Sequence, residues 1–260
     1  MIKDNIEIRE CAGVEELGQC VALQREVFAL PEIEISPVRH FIVTAHAGGF
    51  TLGAFAEGKL VGFVLSVSAF FGNENFYYSH MTAVSKNYQS SGIGARLKWA
   101  QRERALEKGV NYIKWTFQPV QARNAFFNLE KLGAIVRSYE PNFYGTDYST
   151  SNDQTKRVGL DSDRLFAEWN LNGEKVKRLA RGENFIETNE PVKTIEIPND
   201  WNALVKRNPE KAVAEQTRVK AEFQKAFAEN LIGRNFERSE TNPRYLLFQE
   251  NDKARKVKKN

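Results

Sequence analysis

Residues 81–97, with the sequence MTAVSKNYQSSGIGARL, constrain the fold of this chain more than any other segment. A predicted strand ends near Val84, a short loop follows, and Gly92 and Gly94 open a predicted helix. Glycine lets successive backbone N–H groups converge on one point, and a helix N-terminus adds unpaired donors and a partial positive charge. The segment therefore predicts a cradle for an anionic group.

The glycine pattern excludes two common phosphate-binding motifs. No lysine follows the second glycine, as a P-loop requires. A dinucleotide-binding fingerprint needs a third glycine and a preceding strand that begins a βαβ repeat, and neither is found here. The predicted anion cradle is therefore neither a P-loop nor a dinucleotide-binding turn.

The first 145 residues divide into short elements bounded by glycine and proline. Alternating and helical spacings predict the order strand, two helices, three antiparallel strands, the glycine-opened helix, strand, short helix and strand. Ser36 should cap the second helix, with Pro37 at its first position. The predicted spans are 6–8, 14–28, 37–48, 50–55, 60–71, 76–84, 92–108, 110–117, 123–132 and 134–139, with a turn at 73–75. This order indicates an α/β protein.

The segment Gln89-Ser90-Ser91-Gly92-Ile93-Gly94 resembles the pyrophosphate-binding signature of the GNAT N-acetyltransferase superfamily, Gln/Arg-x-x-Gly-x-Gly/Ala. The predicted order of elements is similar to that of the same family. The segments SHMTAV, KWTFQP, ARNAFFNLEKLGA and NFYG resemble a bacterial branch of predicted acetyltransferases with a C-terminal extension. The resemblance covers residues 1 to about 145, and extends to 171 if residues 165–171 are the usual last strand.

The resemblance implies a mixed, mostly antiparallel sheet flanked by helices, whose splayed strands admit the pantetheine arm of acyl-CoA. It implies acetyl-CoA or another acyl-CoA as co-substrate and direct attack of an amine on the thioester. Backbone N–H groups near 81–84 would polarise the carbonyl, and those of the signature would hold the pyrophosphate. The residues expected to bind the cofactor are Met81, Val84, Gln89, Ser90, Ser91, Gly92, Ile93, Gly94 and Asn124.

Two positions depart from the family pattern. Many members carry a general-acid tyrosine four residues before the glycine that ends the short helix, and here that position is Leu129, next to Asn128. The usual carboxylate base is also missing, and His80 lies in that region. We therefore expect His80 to act as the base, with Asn128 and Tyr144 orienting a water or protonating the thiolate. Structural roles remain the alternatives: a core histidine, a cross-link of the short helix and a turn tyrosine.

The remainder of the chain predicts an α+β extension. Residues 141–162 indicate a long loop, and residues 165–171 alternate like a strand. We expect a GNAT domain over 1–171 and an extension over 172–260, with a strand at 194–197, a helix from 208 to about 231 and a hairpin of 234–238 and 245–248. The apolar stripe of the helix should pack on the first domain's sheet or on a second copy; it comprises Ala212, Val219, Phe223, Phe227 and Leu231.

Charge and composition exclude several function classes. The chain has 37 basic and 33 acidic residues, and the tail over 251–260 accounts for the whole excess with five basic residues and one acidic. The remaining 250 residues balance at 32 each, so we expect no nucleic-acid partner. No apolar run approaches the ~18 residues of a membrane helix, which predicts no membrane partner.

Location and metal content are predicted from a few residues. The chain has two cysteines, too few for a disulfide framework, and its charged N-terminus is no signal peptide, so we expect a cytoplasmic protein. His40 and His46 are six residues apart without a cysteine or carboxylate pattern, so no metal site is expected.

The acceptor is the least constrained part of the prediction. Balanced charge over residues 1–250 favours a small amine over a protein substrate. A protein-lysine acetyltransferase remains an alternative, and the missing tyrosine and carboxylate leave room for a non-catalytic acyl-CoA-binding regulatory module. A homodimer is also left open.

Overall fold

The structure is a computed structural model that describes residues 5–28, 30–145 and 160–250. The basic tail over 251–260 and much of the predicted long loop lie outside the described residues. By density of contacts the chain divides into two compact units, residues 1–114 and 115–260. This division falls at a different place from the expected domain boundary at 171, which stays a prediction.

The first unit is a five-stranded arrangement with helices on both faces. Its strands run in the order β1-β2-β3-β4-β5, antiparallel up to β4 and parallel between β4 and β5. The elements are β1 Ile6–Glu10, α1 Gly13–Phe28, α2 Val38–His46, β2 Phe50–Ala56, β3 Lys59–Phe71, β4 Glu74–Val84, α3 Ile93–Glu107 and the first half of β5 Tyr112–Phe117, with 3-10 turns at Glu32–Glu34 and Lys86–Tyr88.

Alternation along β3 explains why both faces of this unit are covered. Phe63 is buried in a cluster with residues of α1 and α2, including Leu17 and Phe41. The neighbouring Gly62 faces α3, because a Cβ built there would lie 3.2 Å from Leu97 Cδ1. Successive side chains of a strand point to opposite faces, so α1 and α2 cover one face of the sheet and α3 covers the other.

Three local predictions in this unit need correction. Helix α2 begins at Val38, with Pro37 as an extended N-cap, and Ser36 does not cap it. Instead the backbone N–H and C=O of Ser36 both bind the buried side chain of Gln24. The β3–β4 turn is Gly72-Asn73 rather than 73–75, because Gly72 supplies the positive φ (+59°) that a two-residue turn needs.

The second unit has strands in the order β5-β7-β6-β9-β10-β8. The pairs β6–β7, β6–β9, β9–β10 and β10–β8 are antiparallel. Its elements are the second half of β5, α4 Ala122–Phe126, a π-helical turn at Phe127–Lys131, β6 Ile135–Glu140, β7 Arg164–Asn170, α5 Glu174–Ala180, β8 Lys193–Glu196, α6 Trp201–Arg207, α7 Pro209–Ala228, β9 Leu231–Glu237 and β10 Arg244–Gln249. Strands from the C-terminal part of the chain thus continue the sheet that contains β6 and β7.

Helix α7 covers β6, β8 and β9 of this sheet. It begins as predicted, since the Asn208 side chain accepts a hydrogen bond from the backbone N–H of Lys211 and Pro209 takes the first position. The ring of Phe223 is fully buried, 5.9 Å from that of Tyr139 on β6 and 5.0 Å from that of Tyr245 on β10. The apolar stripe therefore packs inside the second unit.

The predicted end of this helix was wrong. Helix α7 ends at Ala228, and Leu231, which was assigned to the stripe, begins β9. Asn230 at φ +58° makes the turn between them, a conformation that asparagine tolerates better than most residues. Helices α5 and α6 were not predicted.

No helix over residues 5–28, 30–145 and 160–250 is long and apolar enough to cross a membrane. Within the same ranges no group of three or more histidine, cysteine, aspartate or glutamate side chains is placed to hold a metal ion.

Candidate functional site

The signature segment forms an open cradle at the N-terminus of α3. Gly92 is the N-cap in the left-handed conformation, with φ +87°, and Ser90 also has a positive φ of +62°. The first intrahelical hydrogen bond runs from Arg96 N to Gly92 O at 3.1 Å. The N–H groups of Ile93 and Gly94 precede this bond, so the helix itself offers them no acceptor. They are donors for an anion at the positive end of a 15-residue helix.

The two glycines of the cradle are uncrowded. A Cβ built on Gly92 meets no atom within 4 Å, and one built on Gly94 meets only Val84 Cγ2 at 3.9 Å. The backbone is therefore bare where a phosphate would approach, as the glycine pattern predicts.

Two polar side chains of the signature brace the loop. Gln89 Nε2 donates to the carbonyl oxygen of Val84 at 3.1 Å, and Ser91 Oγ donates to that of Tyr88. Both side chains were expected to contact the cofactor, and in this structure they hold the loop against the end of β4. Their part in cofactor binding stays a prediction.

A carboxylate from α1 also anchors this loop. Glu26 Oε1 accepts from the backbone N–H of Lys86 and from Ser85 Oγ, both at 2.8 Å. These two hydrogen bonds lower the pKa of Glu26, and the bond from the Lys86 N–H has the larger effect. Sequence reasoning missed this residue, because the contact spans about 60 positions and Glu26 carries no local motif.

Strand β4 contains a β-bulge at His80. The Cα partners are Leu65↔Met81 and then Ser66↔Ser79, so His80 is the extra residue on β4. The His80 ring lies 5.6 Å from the ring of His40 on α2, and Met81 packs against the core cluster under α1 and α2. His80 and Met81 therefore face the same side of the sheet, whereas regular strand neighbours face opposite sides.

The parallel ladder between β4 and β5 consists of two residue pairs, Tyr77↔Ile113 and Tyr78↔Lys114. Strand β4 continues past these pairs to Val84. The bulge and the residues expected to polarise the thioester, Met81 and Val84, thus lie on the part of β4 beyond the ladder.

The surroundings of His80 favour its neutral form. Burial, followed by the electrostatic influence of His40, lowers the pKa of His80 below its usual 6.5. The other ring near it is that of Tyr78, at 6.5 Å on the same strand. At pH 7 the imidazole is therefore unprotonated and able to accept a proton.

Asn128 lies in the second unit, inside the π-helical turn, and is buried. Its Oδ1 accepts a hydrogen bond of 3.2 Å from the indole Nε1 of Trp115. A buried indole N–H needs such an acceptor. This contact supports the structural alternative for Asn128.

Tyr144 and Asn124 also lie in the second unit. Tyr144 is 53% exposed, and its hydroxyl is 3.3 Å from Thr116 Oγ1 on β5. The Arg164 guanidinium lies over its ring, 5.1 Å from the centroid. Asn124 is exposed on α4. The predicted residues thus form two sets, with His80 and the signature residues in the first unit and Asn124, Asn128 and Tyr144 in the second.

Comparisons with known proteins relate part of the chain to one family. Residues 20–134 match the model of the acetyltransferase (GNAT) family. None of the curated proteins matches the chain significantly in sequence.

Many solved structures match part of the chain. A candidate acetyltransferase from Acinetobacter baylyi ADP1 is 17% identical, with a TM-score of 0.52 over 64% of this chain and 93% of that one. A GNAT acetyltransferase from Elizabethkingia anophelis with acetyl-CoA bound is 16% identical, with a TM-score of 0.47 over 65% of this chain and 100% of that one. The ribosomal-protein-S18-alanine N-acetyltransferase of Escherichia coli is 17% identical, with a TM-score of 0.48 over 65% and 97%.

The family match, the glycine-opened helix and the bulged β4 agree with the predicted GNAT fold, a mixed and mostly antiparallel sheet flanked by helices and followed by additional C-terminal strands and helices. Residues 20–134 are identified by this match as a GNAT acetyltransferase domain, and the co-substrate of that family is acetyl-CoA.

Proposed function

We propose that the chain transfers an acetyl group from acetyl-CoA to the amino group of a small molecule by direct attack on the thioester. The observation that carries this proposal is the open cradle at the start of α3, with Gly92 at φ +87° and the bare N–H groups that follow it. In this proposal the cradle binds the pyrophosphate of the cofactor.

Pyrophosphate binding follows from the donors on this helix. The N–H groups of Ile93 and Gly94 point out of the first turn, where the helix dipole favours negative charge. Hydrogen bonds to charged acceptors are stronger than those between neutral groups. The contacts of Gln89 and Glu26 keep the loop in place before the cofactor arrives.

His80 is the proposed general base. An acceptor amine with a pKa of about 10.4 is almost wholly protonated at pH 7, and deprotonating it costs about 4 to 5 kcal/mol. Neutral His80 takes this proton, directly or through a water. The amine nitrogen then forms a bond to the thioester carbonyl carbon while backbone N–H groups near Met81 to Val84 stabilise the oxyanion.

Collapse of this intermediate breaks the C–S bond and releases the thiolate of coenzyme A, and the second proton lost by the amine nitrogen passes to solvent. A thiol pKa of about 8.5 makes this thiolate a tolerable leaving group, so the missing family tyrosine is not fatal. Tyr144 is the proposed proton donor, because its phenol is exposed and can regain a proton from solvent. Asn128 would orient a water, although its bond to Trp115 occupies its side-chain oxygen.

The acceptor is proposed to be a small amine. The 250 residues before the C-terminal tail carry 32 basic and 32 acidic side chains, so no strong net charge favours a charged macromolecule. A cytoplasmic location and a homodimer stay predictions.

The test measures thiol release from acetyl-CoA with a panel of small amines and with lysine-containing peptides. We expect turnover with at least one small amine and none above background with the peptides. Acetylation confined to the peptides would make the chain a protein-lysine acetyltransferase. Tight acetyl-CoA binding without turnover of any acceptor would contradict the catalytic roles assigned to His80 and Tyr144.

A further inference from the structure

Helix α3 buries three polar side chains that the catalytic proposal does not use, Lys98, Gln101 and Arg102, and the first two reach the strands. Lys98 is 3% exposed and Gln101 is fully buried, and both face β3 and β4. Lys98 Nζ donates to Gln101 Oε1 at 2.6 Å and to Ser79 Oγ at 3.0 Å. Lysine is almost never fully buried unless its amine has partners, so this placement needs an explanation.

The pair reaches both strands at one level of the sheet. Gln101 Nε2 donates to Ser66 Oγ at 2.7 Å, while Lys98 holds Ser79. Ser66 on β3 and Ser79 on β4 are Cα partners of each other. They form the first regular pair beside the bulge, so α3 is hydrogen-bonded to both strands directly next to His80.

If these residues only packed the core, apolar side chains would fill the same place at a lower free-energy cost of desolvation. Removing an amine and an amide from water costs free energy that their hydrogen bonds only partly return. Desolvation lowers the pKa of Lys98 well below its usual value, which shows how unfavourable the site is for a charge. Polar contacts specify the register of the two strands better than apolar packing does, because a hydroxyl is hydrogen-bonded only when it lies opposite its partner.

Register matters here because of the bulge. If the extra residue moved by one position toward the start of β4, Ser66 would pair with His80 instead of Ser79, and His80 would turn toward α3. That shift moves Ser79 out of its place opposite Ser66, where Lys98 holds it, whereas Gln101 stays bound to Ser66 and to the Lys98 amine. The pair therefore opposes a rearrangement that would withdraw the imidazole from its present face.

The same helix carries the cradle. Lys98 follows Ile93 by five residues, about 7.5 Å along the helix axis. We infer that Lys98 and Gln101 are positioning residues, which hold the bulge of β4 in register so that His80 and the following backbone N–H groups face the thioester. This inference rests on the proposed function.

The first test replaces Lys98 with methionine, a side chain of similar length without the amine. We expect kcat to fall by about tenfold or more while the KM for acetyl-CoA changes by less than about twofold, since the cradle itself is intact. Ser79→Ala removes the hydroxyl from the strand side and should show the same split. It leaves the amine bound to Gln101, so it keeps the test available if Lys98→Met does not fold.

The matched control is Leu97→Ala. Leu97 is buried on the same helix and packs against β3 beside Gly62, but its aliphatic side chain cannot hydrogen-bond to the two serines. Its loss lowers stability by cavity formation without touching the bulge. We expect its kcat to stay close to that of the unchanged enzyme at a temperature where both are folded.

A second readout is independent of catalysis. The chain has three histidines, so the imidazole signals of His80, His40 and His46 can be separated by NMR titration. Lys98→Met and Ser79→Ala should move the pKa of His80, because the ring leaves its buried place beside His40, while Leu97→Ala should not. Unchanged His80 titration and unchanged kcat in both variants would overturn the inference.

The outcomes separate this inference from the proposed function. If His80→Ala leaves turnover intact, the assignment of the base is wrong, and the His80 titration in Lys98→Met still decides whether the pair positions the bulge. If kcat, cofactor KM and thermal stability change together, as in a general loss of packing, the pair is structural and the inference fails.

Discussion

At the scale of single residues, the β-bulge determines the environment and the protonation state of the His80 imidazole. A regular strand would place it opposite Met81, and the extra residue instead brings both to the face covered by α1 and α2. There the ring loses water and meets His40, and both effects disfavour the imidazolium. A histidine so placed is neutral over a wider pH range than a free one.

The base assignment predicts a defined pH profile. His80→Ala should lower turnover by about 10² or more with little change in acetyl-CoA affinity. In the unchanged enzyme, kcat/KM should fall on the acidic side with an apparent pKa below 6.5, because the pKa of His80 is lowered. That limb should be absent in His80→Ala.

His40 provides the control for this profile. His40→Ala removes one of the two causes of the lowered pKa, so the acidic limb should move toward 6.5 without reaching it, because burial remains. An acidic limb that stays in place in both variants would mean that another group titrates.

Residue types with local signatures were predictable from the sequence, and tertiary contacts were not. The positive φ of Gly92 follows from its place before a helix. The burial of Lys98 does not, because a lysine inside a helical segment is normally solvated, and only packing of α3 on β3 and β4 makes it a core residue. Likewise, nothing near Asn128 in the sequence indicates its bond to Trp115.

At the scale of elements, the N-terminus of α3 gives a clean test of cofactor binding. Gly94→Val should weaken acetyl-CoA binding at least tenfold, which is about 1.4 kcal/mol. The side chain would enter the open space in front of the N–H donors, with only Val84 Cγ2 near it. Gly92 is the poorer target, because its φ of +87° makes any side chain strain the backbone.

Gly18 serves as the matched control for this substitution. Gly18 lies in helix α1, away from the cradle segment, and a Cβ built on it meets no atom within 4 Å. Gly18→Val should leave the calorimetric affinity unchanged. Equal affinities for the Gly94 and Gly18 variants would show that the pyrophosphate binds elsewhere.

Residues of the apolar stripe on α7 should contribute unequally to the free energy of unfolding. Phe223→Ala should lower the free energy of unfolding by about 3 to 5 kcal/mol, because the ring is fully buried between Tyr139 and Tyr245. Phe227→Ala should cost clearly less, since Phe227 is only half-buried. Denaturant titration of both variants measures the difference, and equal losses would contradict this packing.

The boundaries of helices and strands are predicted only in part by sequence patterns. The start of α7 at Asn208-Pro209 is a strong local signal, but its apolar spacing continues into Leu231, which belongs to β9. Periodicity alone cannot separate the two, because a turn at Asn230 changes the direction of the chain between them. Helices α5 and α6 are only seven residues each, too short for a periodic pattern.

At the scale of the whole chain, the family match and the packing divide the molecule differently. The match covers residues 20–134, whereas contact density separates residues 1–114 from 115–260. Within the second unit, β6 pairs with β7 on one side and with β9 on the other. The C-terminal strands therefore share a sheet with the last strands of the predicted GNAT domain.

This shared sheet predicts that the C-terminal part is needed for folding. A chain shortened to residue 171 loses β9, the neighbour of β6, and the helix α7 that covers it. Val136 and Tyr139, now buried, would face water, and the freed edge of β6 would offer unpaired backbone groups to other chains. We expect the shortened chain to aggregate or to lose turnover, as measured by light scattering and thiol release.

A chain shortened to residue 250 is the matched control. It keeps Glu250, whose carboxylate pairs with Arg137 on β6, and removes only the ten residues that carry the net positive charge. Removing them should leave unfolding and acetyl-CoA turnover unchanged, since the strands and helices described here all end before residue 251. If the chain ending at 171 is instead soluble, monomeric and fully active, the C-terminal part is an independent appendage, and the pairing of β6 with β9 contributes nothing that the catalytic domain requires.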